Sequence, residues 1–224
     1  MKTTSIVGLM SRMSPYRPLT PFVAPHGELF AKLDATGAQT FAKPLGDGNN
    51  YDTIRVVVEP TSGDVIIGGS LLGTVNFGGG NRAAMGGEDL FVARYDAKGV
   101  YAWDKVFGDG GEQQIVGFAL DKDGNVVLAG PFTGTLDFGG GKVLTASAGG
   151  SHDVFAARLG PSGATLSARS WGDAADQYAF GVCADKDGNL GATGIFSGTL
   201  DFGDGKPLTS TGGQPDGWVA KLAP

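Results

Sequence analysis

Apolar and polar residues alternate along most of this chain, in runs of about five residues cut by glycine and aspartate. One run reads Leu29-Phe30-Ala31-Lys32-Leu33 and returns as Phe91-Val92-Ala93-Arg94-Tyr95, Phe155-Ala156-Ala157-Arg158-Leu159 and Trp218-Val219-Ala220-Lys221-Leu222. A small alanine at the centre with a base after it suits a strand with one face packed closely on a neighbour. A turn follows, with Gly37, Gly99 and Gly163 at the place where a hairpin needs positive φ. A second run ends in Leu45-Gly46-Asp47, Phe107-Gly108-Asp109 and Trp171-Gly172-Asp173. The third is Ile54–Val58, then Val116–Leu120, then Phe180–Ala184, and the fourth is Val65–Gly69, Val126–Gly130 and Leu190–Gly194. Between the last two stands Asp121-Lys122-Asp123-Gly124-Asn125, repeated letter for letter at 185–189. Valine-rich runs bounded by Asp-Gly turns predict short strands joined by hairpins. No window keeps apolar residues at i, i+3, i+4 and i+7, so almost no helix is expected.

The whole pattern repeats at a step of about 60 residues. Leu136-Asp137-Phe138-Gly139 returns as Leu200-Asp201-Phe202-Gly203 and, more weakly, as Val75-Asn76-Phe77-Gly78. The phrase predicts a strand end that packs its phenylalanine. Three copies span about 27–88, 89–152 and 153–215, with a final strand at 216–222. Residues 1–26 stand outside the repeat, and Pro15, Pro18, Pro21 and Pro25 predict a stiff extended leader rather than helix or inner strand.

Four antiparallel strands per copy is the pattern of a β-propeller blade, so the expected class is all-β with about three blades. The phrases Asp89-Leu90-Phe91-Val92-Ala93-Arg94, Asp153-Val154-Phe155-Ala156-Ala157-Arg158 and Asp121-Lys122-Asp123-Gly124-Asn125-Val126 resemble the bacterial SBBP-type (seven-bladed β-propeller) repeat. The resemblance covers residues 27–222. It implies a place in a secreted or cell-surface protein and carries no catalytic motif. The resemblance implies that the third run is innermost, and on that framing the chain opens on half a blade, continues through two full blades and closes with three strands of another. Closed propellers need about four to eight blades. Three readings follow: the chain is completed by copies of itself, it is part of a longer chain, or it forms an open or β-trefoil-like arrangement. An unpaired terminal strand favours partners.

Composition narrows the function classes. Glycine supplies 40 of 224 residues, consistent with many tight turns, and the net charge is −6. An acidic body speaks against a nucleic-acid backbone as partner. No run reaches the roughly 18–20 apolar residues of a membrane span, so no membrane insertion is expected. Ile6-Val7-Gly8-Leu9-Met10 is too short for the core of an export signal. Cys183 is the one cysteine and its apolar neighbours predict a buried thiol.

Candidate chemistry is sparse. Asp121 and Asp123, with Asp185 and Asp187, look like calcium loops, but position twelve is Phe132 or Phe196 instead of the bidentate glutamate an EF-hand needs. A plain hairpin turn is the better expectation, and no cofactor is expected. Asp137-Phe138-Gly139 recurs with the repeat and has no kinase companions, while Gly139-Gly140-Gly141-Lys142 lacks phosphate-loop spacing. His26 and His152 lack a nucleophile elbow. Trp103, Trp171 and Trp218 read as packing residues. The remaining candidates for ligand binding are the acid-rich turns with Asp109, Glu112, Asp173 and Asp176. The expected function is a non-catalytic module for binding or assembly, with a glycan or protein ligand. The alternative is a carbohydrate-binding lectin built by oligomerisation.

Overall fold

The computed structural model describes residues 6–10, 28–45, 51–147 and 151–223. Among these, strands occur and helices do not, so no helix is long and apolar enough to cross a membrane. The chain opens with β1 (Ile6–Met10), β2 (Glu28–Leu33) and β3 (Gln39–Leu45). A full set follows: β4 (Tyr51–Val58), β5 (Val65–Leu71), β6 (Thr74–Asn76), β7 (Asn81–Ala83), β8 (Asp89–Tyr95) and β9 (Tyr101–Phe107). It repeats as β10 (Gly117–Leu120), β11 (Val126–Phe132), β12 (Thr135–Asp137), β13 (Val143–Thr145), β14 (Asp153–Leu159) and β15 (Thr165–Trp171). The last set is β16 (Gln177–Ala184), β17 (Leu190–Phe196), β18 (Thr199–Leu200), β19 (Leu208–Thr209) and β20 (Asp216–Leu222).

These strands pair antiparallel into four main sheets, ordered β1-β2-β3, β4-β5-β8-β9, β10-β11-β14-β15 and β16-β17-β20. We number them first to fourth. Each full sheet starts from the third run of one copy and ends with the second run of the next, as the blade pattern predicts. The fold is all-β and built of blade-like sheets. None of them closes into a barrel among the described residues, so the trefoil-like alternative does not hold.

Three details differ from the sequence-based expectation: the first strand, the hairpins between sheets and the exposure of Cys183. Ile6–Met10 is a strand and not part of an extended leader: β1 pairs with β2, Val7 opposite Lys32 and Gly8 opposite Ala31. In the second sheet Ile66 and Ile67 face Arg94 and Ala93 in the same way, so β1 takes the place of a fourth run. The isolated Ile-Val-Gly-Leu-Met run has no repeat context in the sequence, and pairing with β2 is what makes it a strand. The prolines from Pro15 to Pro25 and the Gly46-Asp47 turn lie outside the described residues. Each copy also carries an additional two-stranded hairpin: β6-β7, β12-β13 and β18-β19.

Those hairpins hold the Leu-Asp-Phe-Gly phrase and drive its phenylalanine between sheets. Phe138 lies 4.9 Å from Phe107 of the second sheet and 5.8 Å from Phe155 of the third. Phe202 likewise sits 5.4 Å from both Trp171 and Trp218. Apolar clusters fill the three gaps between successive sheets. Close approach needs small residues in the central strands. A Cβ on Gly68 would come within 2.5 Å of the Phe118 ring in the next sheet, so any larger residue there would have to displace that ring.

Polar latches tie the sheets at their turns. Lys32 Nζ donates to Gly63 O at 2.7 Å, in the turn of the following sheet. Arg94 pairs with Asp64 of its own sheet at 2.8 Å and reaches Pro161 O of the next at 3.4 Å. Arg158 pairs with Asp121 at 3.3 Å and donates to Gly188 O at 2.6 Å. The base that follows the alanine in the first run therefore binds its own sheet to the next.

Cys183 is exposed, against the expectation of a buried thiol. Its apolar neighbours belong to β16 of the fourth sheet, and β16 has a sheet on one face only.

Phe138→Ala should lower stability by about 3–5 kcal/mol, the usual cost of emptying a buried phenylalanine site. Thermal or urea unfolding checks this; a loss below about 1 kcal/mol would remove the wedge role.

Candidate functional site

The loops β9–β10 and β15–β16 carry the four acids singled out by sequence. Asp109 accepts from Gly111 N at 2.7 Å, Gln113 Nε2 at 3.0 Å and Thr135 N at 2.6 Å. Asp173 repeats this with Ala175 N at 2.8 Å, Gln177 Nε2 at 2.8 Å and Thr199 N at 2.6 Å. Burial opposes ionisation of Asp173, but these donors overcome it and hold its pKa below the usual range. Both aspartates are joints that fasten a loop to the start of a β-hairpin.

Gln113 and Gln177 complete the joint, and sequence reasoning missed them. Each is fully buried. Gln113 N donates to Glu88 O at 2.7 Å and Gln177 N to His152 O at 2.7 Å, across to the preceding sheet. Their side-chain amides also donate to Thr133 O at 3.1 Å and Ser197 O at 2.9 Å. The chain does carry a signal for them: Asp-x-x-x-Gln recurs at the repeat step, inside loops otherwise dissimilar.

Glu112 and Asp176 have a different setting. They converge on His152, which precedes β14. Asp176 Oδ1 accepts from His152 N at 3.0 Å and lies 3.2 Å from Nδ1. Those contacts hold the Asp176 pKa below its ordinary value. Glu112 Oε2 is 3.7 Å from His152 Nε2, and Tyr178 Oη is 3.0 Å from Nδ1. The His152 and Tyr178 rings are 5.0 Å apart, tilted by 33°. Burial, then the charges of Asp176 and Glu112, push the Tyr178 phenol up, so it stays a neutral hydroxyl at neutral pH. Loops leading into the third and fourth sheets thus meet in one cluster of two carboxylates, an imidazole and a phenol. The carboxylates are exposed and the rings partly so. Such a surface can accept hydrogen bonds from a ligand and offer an aromatic edge to its apolar part.

Beneath this surface lie two buried carboxyls. Asp89 Oδ2 accepts from Met85 N at 2.8 Å, while Oδ1 is buried without a partner, as is Gln113 Oε1. A Cβ on Gly108 would stand 2.2 Å from Asp89 Oδ1 and 2.5 Å from Gln113 Oε1, so both oxygens crowd one point. Asp153 repeats this at Gly172. Burial raises the pKa of both aspartates; bonds from Met85 and Ser147 oppose the shift, and the charges of Asp109 and Asp173 add to it.

The turns considered for calcium use their acids internally. Asp121 Oδ1 accepts from Asp123 N at 2.9 Å and Asn125 N at 3.0 Å, and Oδ2 accepts from Asn125 Nδ2 at 2.9 Å. Asp185 does the same with Asp187 and Asn189. Asp123 and Asp187 pair with the adjacent Lys122 and Lys186 at the surface. Gly124 and Gly188, at φ 74° and 84°, close the turns. No group of three or more metal-ligating side chains occurs among the described residues. No protein-family model matches the chain, and no curated protein matches it either.

The buried carboxyls should show in the pH dependence of stability. Burial holds the Asp89 pKa above that of the unfolded chain, where a carboxyl ionises at about pH 4, so this group's contribution falls as pH rises from there through the raised folded value. Asp89→Asn keeps the Met85 bond and supplies a donor toward Gln113. Its thermal midpoint should therefore gain on the wild type as pH goes from about 4 to 7; a difference independent of pH would contradict the assignment. Calcium or a chelator should leave the midpoint unchanged, because the turn carboxylates already have donors; a shift of several degrees would show that an ion binds.

Proposed function

We propose that this chain is a non-catalytic repeat module of the β-propeller type, serving binding or assembly as part of a bacterial surface or secreted protein. The observation that carries this reading is the Glu112–His152–Asp176–Tyr178 cluster. It gathers exposed polar groups from loops of adjacent sheets, where side chains can vary without disturbing the stack. A non-catalytic role is supported by the use of the recurring polar groups: Asp109 and Asp173 accept from backbone donors of their own loops and of the adjoining hairpins, and Asp121 and Asp185 from those of their own turns. The surface or secreted setting rests on the resemblance to the SBBP-type repeat.

A second reading, a lectin formed by oligomerisation, draws on the same cluster. Paired rings beside two carboxylates suit a sugar, whose C–H face packs on aromatics and whose hydroxyls donate to carboxylates.

A glycan array probed with the full chain, with calcium and with chelator, separates the two readings. The lectin reading expects a bound glycan whose retention falls at least about tenfold in Tyr178→Ala, a loss of about 1.4 kcal/mol. A blank array removes that reading alone. Light scattering tests the broader one: assembly expects a mass above the 22.8 kDa of a single chain. A monomer that also binds no glycan would overturn both.

A further inference from the structure

Among the described residues, no sheet covers one broad face of the fourth sheet. Val92 of β8 is 0 % exposed and Ala156 of β14 is 7 % exposed, each covered by the next sheet. Val219 holds the same register position in β20 and is 83 % exposed. Thr193 of β17 stands where Gly68 and Ala129 are buried under the following sheet, yet it is exposed. Gly181 of β16 corresponds to Gly117. A Cβ on Gly117 would meet Val182 of the next sheet at 2.8 Å, whereas one on Gly181 would approach only Thr193 of its own sheet. Cys183 lies on this same open face.

Charge points the same way. Lys32, Arg94 and Arg158 each donate to a turn carbonyl of the following sheet. Lys221 is the fourth member of the series. It pairs with Asp185 of its own sheet at 2.9 Å and is largely exposed. The far end of the stack offers the complement. Ala31 and Leu33 of the first sheet are partly exposed, whereas Ala93 and Tyr95 at the same positions are covered by the preceding sheet. The β2–β3 turn places Ala35 where Ala97 and Pro161 stand in later sheets, and their carbonyls accept from Lys32 and Arg94.

We propose that the open face of the fourth sheet seats the first sheet of a second copy of this chain, with Lys221 Nζ donating to Ala35 O of that copy. The association is head-to-tail, so two copies would bring about eight sheets, within the range over which such stacks close into a ring. The occupant follows from the molecule itself. Three internal interfaces show what covers this register, and the first sheet of the same chain presents the matching positions. The proposal rests on the assembly reading and adds the face, the partner and the polarity.

The test uses the full chain, with Cys183 as a built-in reporter because it is the only cysteine. Light scattering over a range of concentrations is read beside maleimide labelling of that thiol. The expected result is a dimer in which labelling slows by roughly tenfold or more relative to dilute chain. Val219→Glu should then return the mass to a monomer and restore fast labelling, with the circular dichroism of a folded β protein, since Val219 is a surface residue within one chain. An oligomer that labels freely and ignores Val219→Glu overturns this interface and leaves the assembly reading intact. A monomer at all concentrations overturns both, and leaves the face to a different partner or to further chain.

Discussion

The structure depends on burying the central strands on both faces. Every residue of β5 and of β11 is buried. A single sheet cannot achieve this, since one of its faces always meets water. Each central strand therefore requires a sheet before it and a sheet after it, and the other features answer to that requirement. Gly68 lets Phe118 approach, the hairpin phenylalanines fill the gap that twisted sheets leave between them, and the bases latch the turns. In β17 the requirement is met on one side only, and its burial alternates.

Polar groups follow the same logic at closer range. An acid buried between sheets is unfavourable unless donors surround it. Asp109 and Asp173 are given three donors each and become fixed points of the loops. Asp89 and Asp153 keep one oxygen unsatisfied, and burial raises their pKa. Glu112 and Asp176 take no part in these joints, and their carboxylates are exposed. Two pairs of acids lie within a few residues of each other in the chain, yet only one pair is exposed.

Much of the architecture was legible along the chain. Alternation predicted the long strands, and the glycines at Gly37, Gly99 and Gly163 take φ near 80° as their turns require. The order of runs within a blade was the one that the resemblance to the SBBP-type repeat implies, and the sheets follow it. The short hairpins escaped notice because two- or three-residue strands leave no period to detect. Of the candidate site, the sequence marked the two loops that carry the cluster's carboxylates but ranked their four acids alike. It singled out neither His152 nor Tyr178 as their partner, because that cluster crosses from one sheet to another and has no local spacing.

The sequence by itself determined the class and the scaffold role of the Leu-Asp-Phe-Gly phrase, because both depend on periodicity, turn chemistry or recurrence. Only the tertiary structure decided which side of a strand is covered. Ile6–Met10 became a strand through β2, and Cys183 and Val219 are exposed because no sheet of the described residues lies over them. Alternation assigns residues to two faces, but what lies against each face is a property of neighbours brought together by folding.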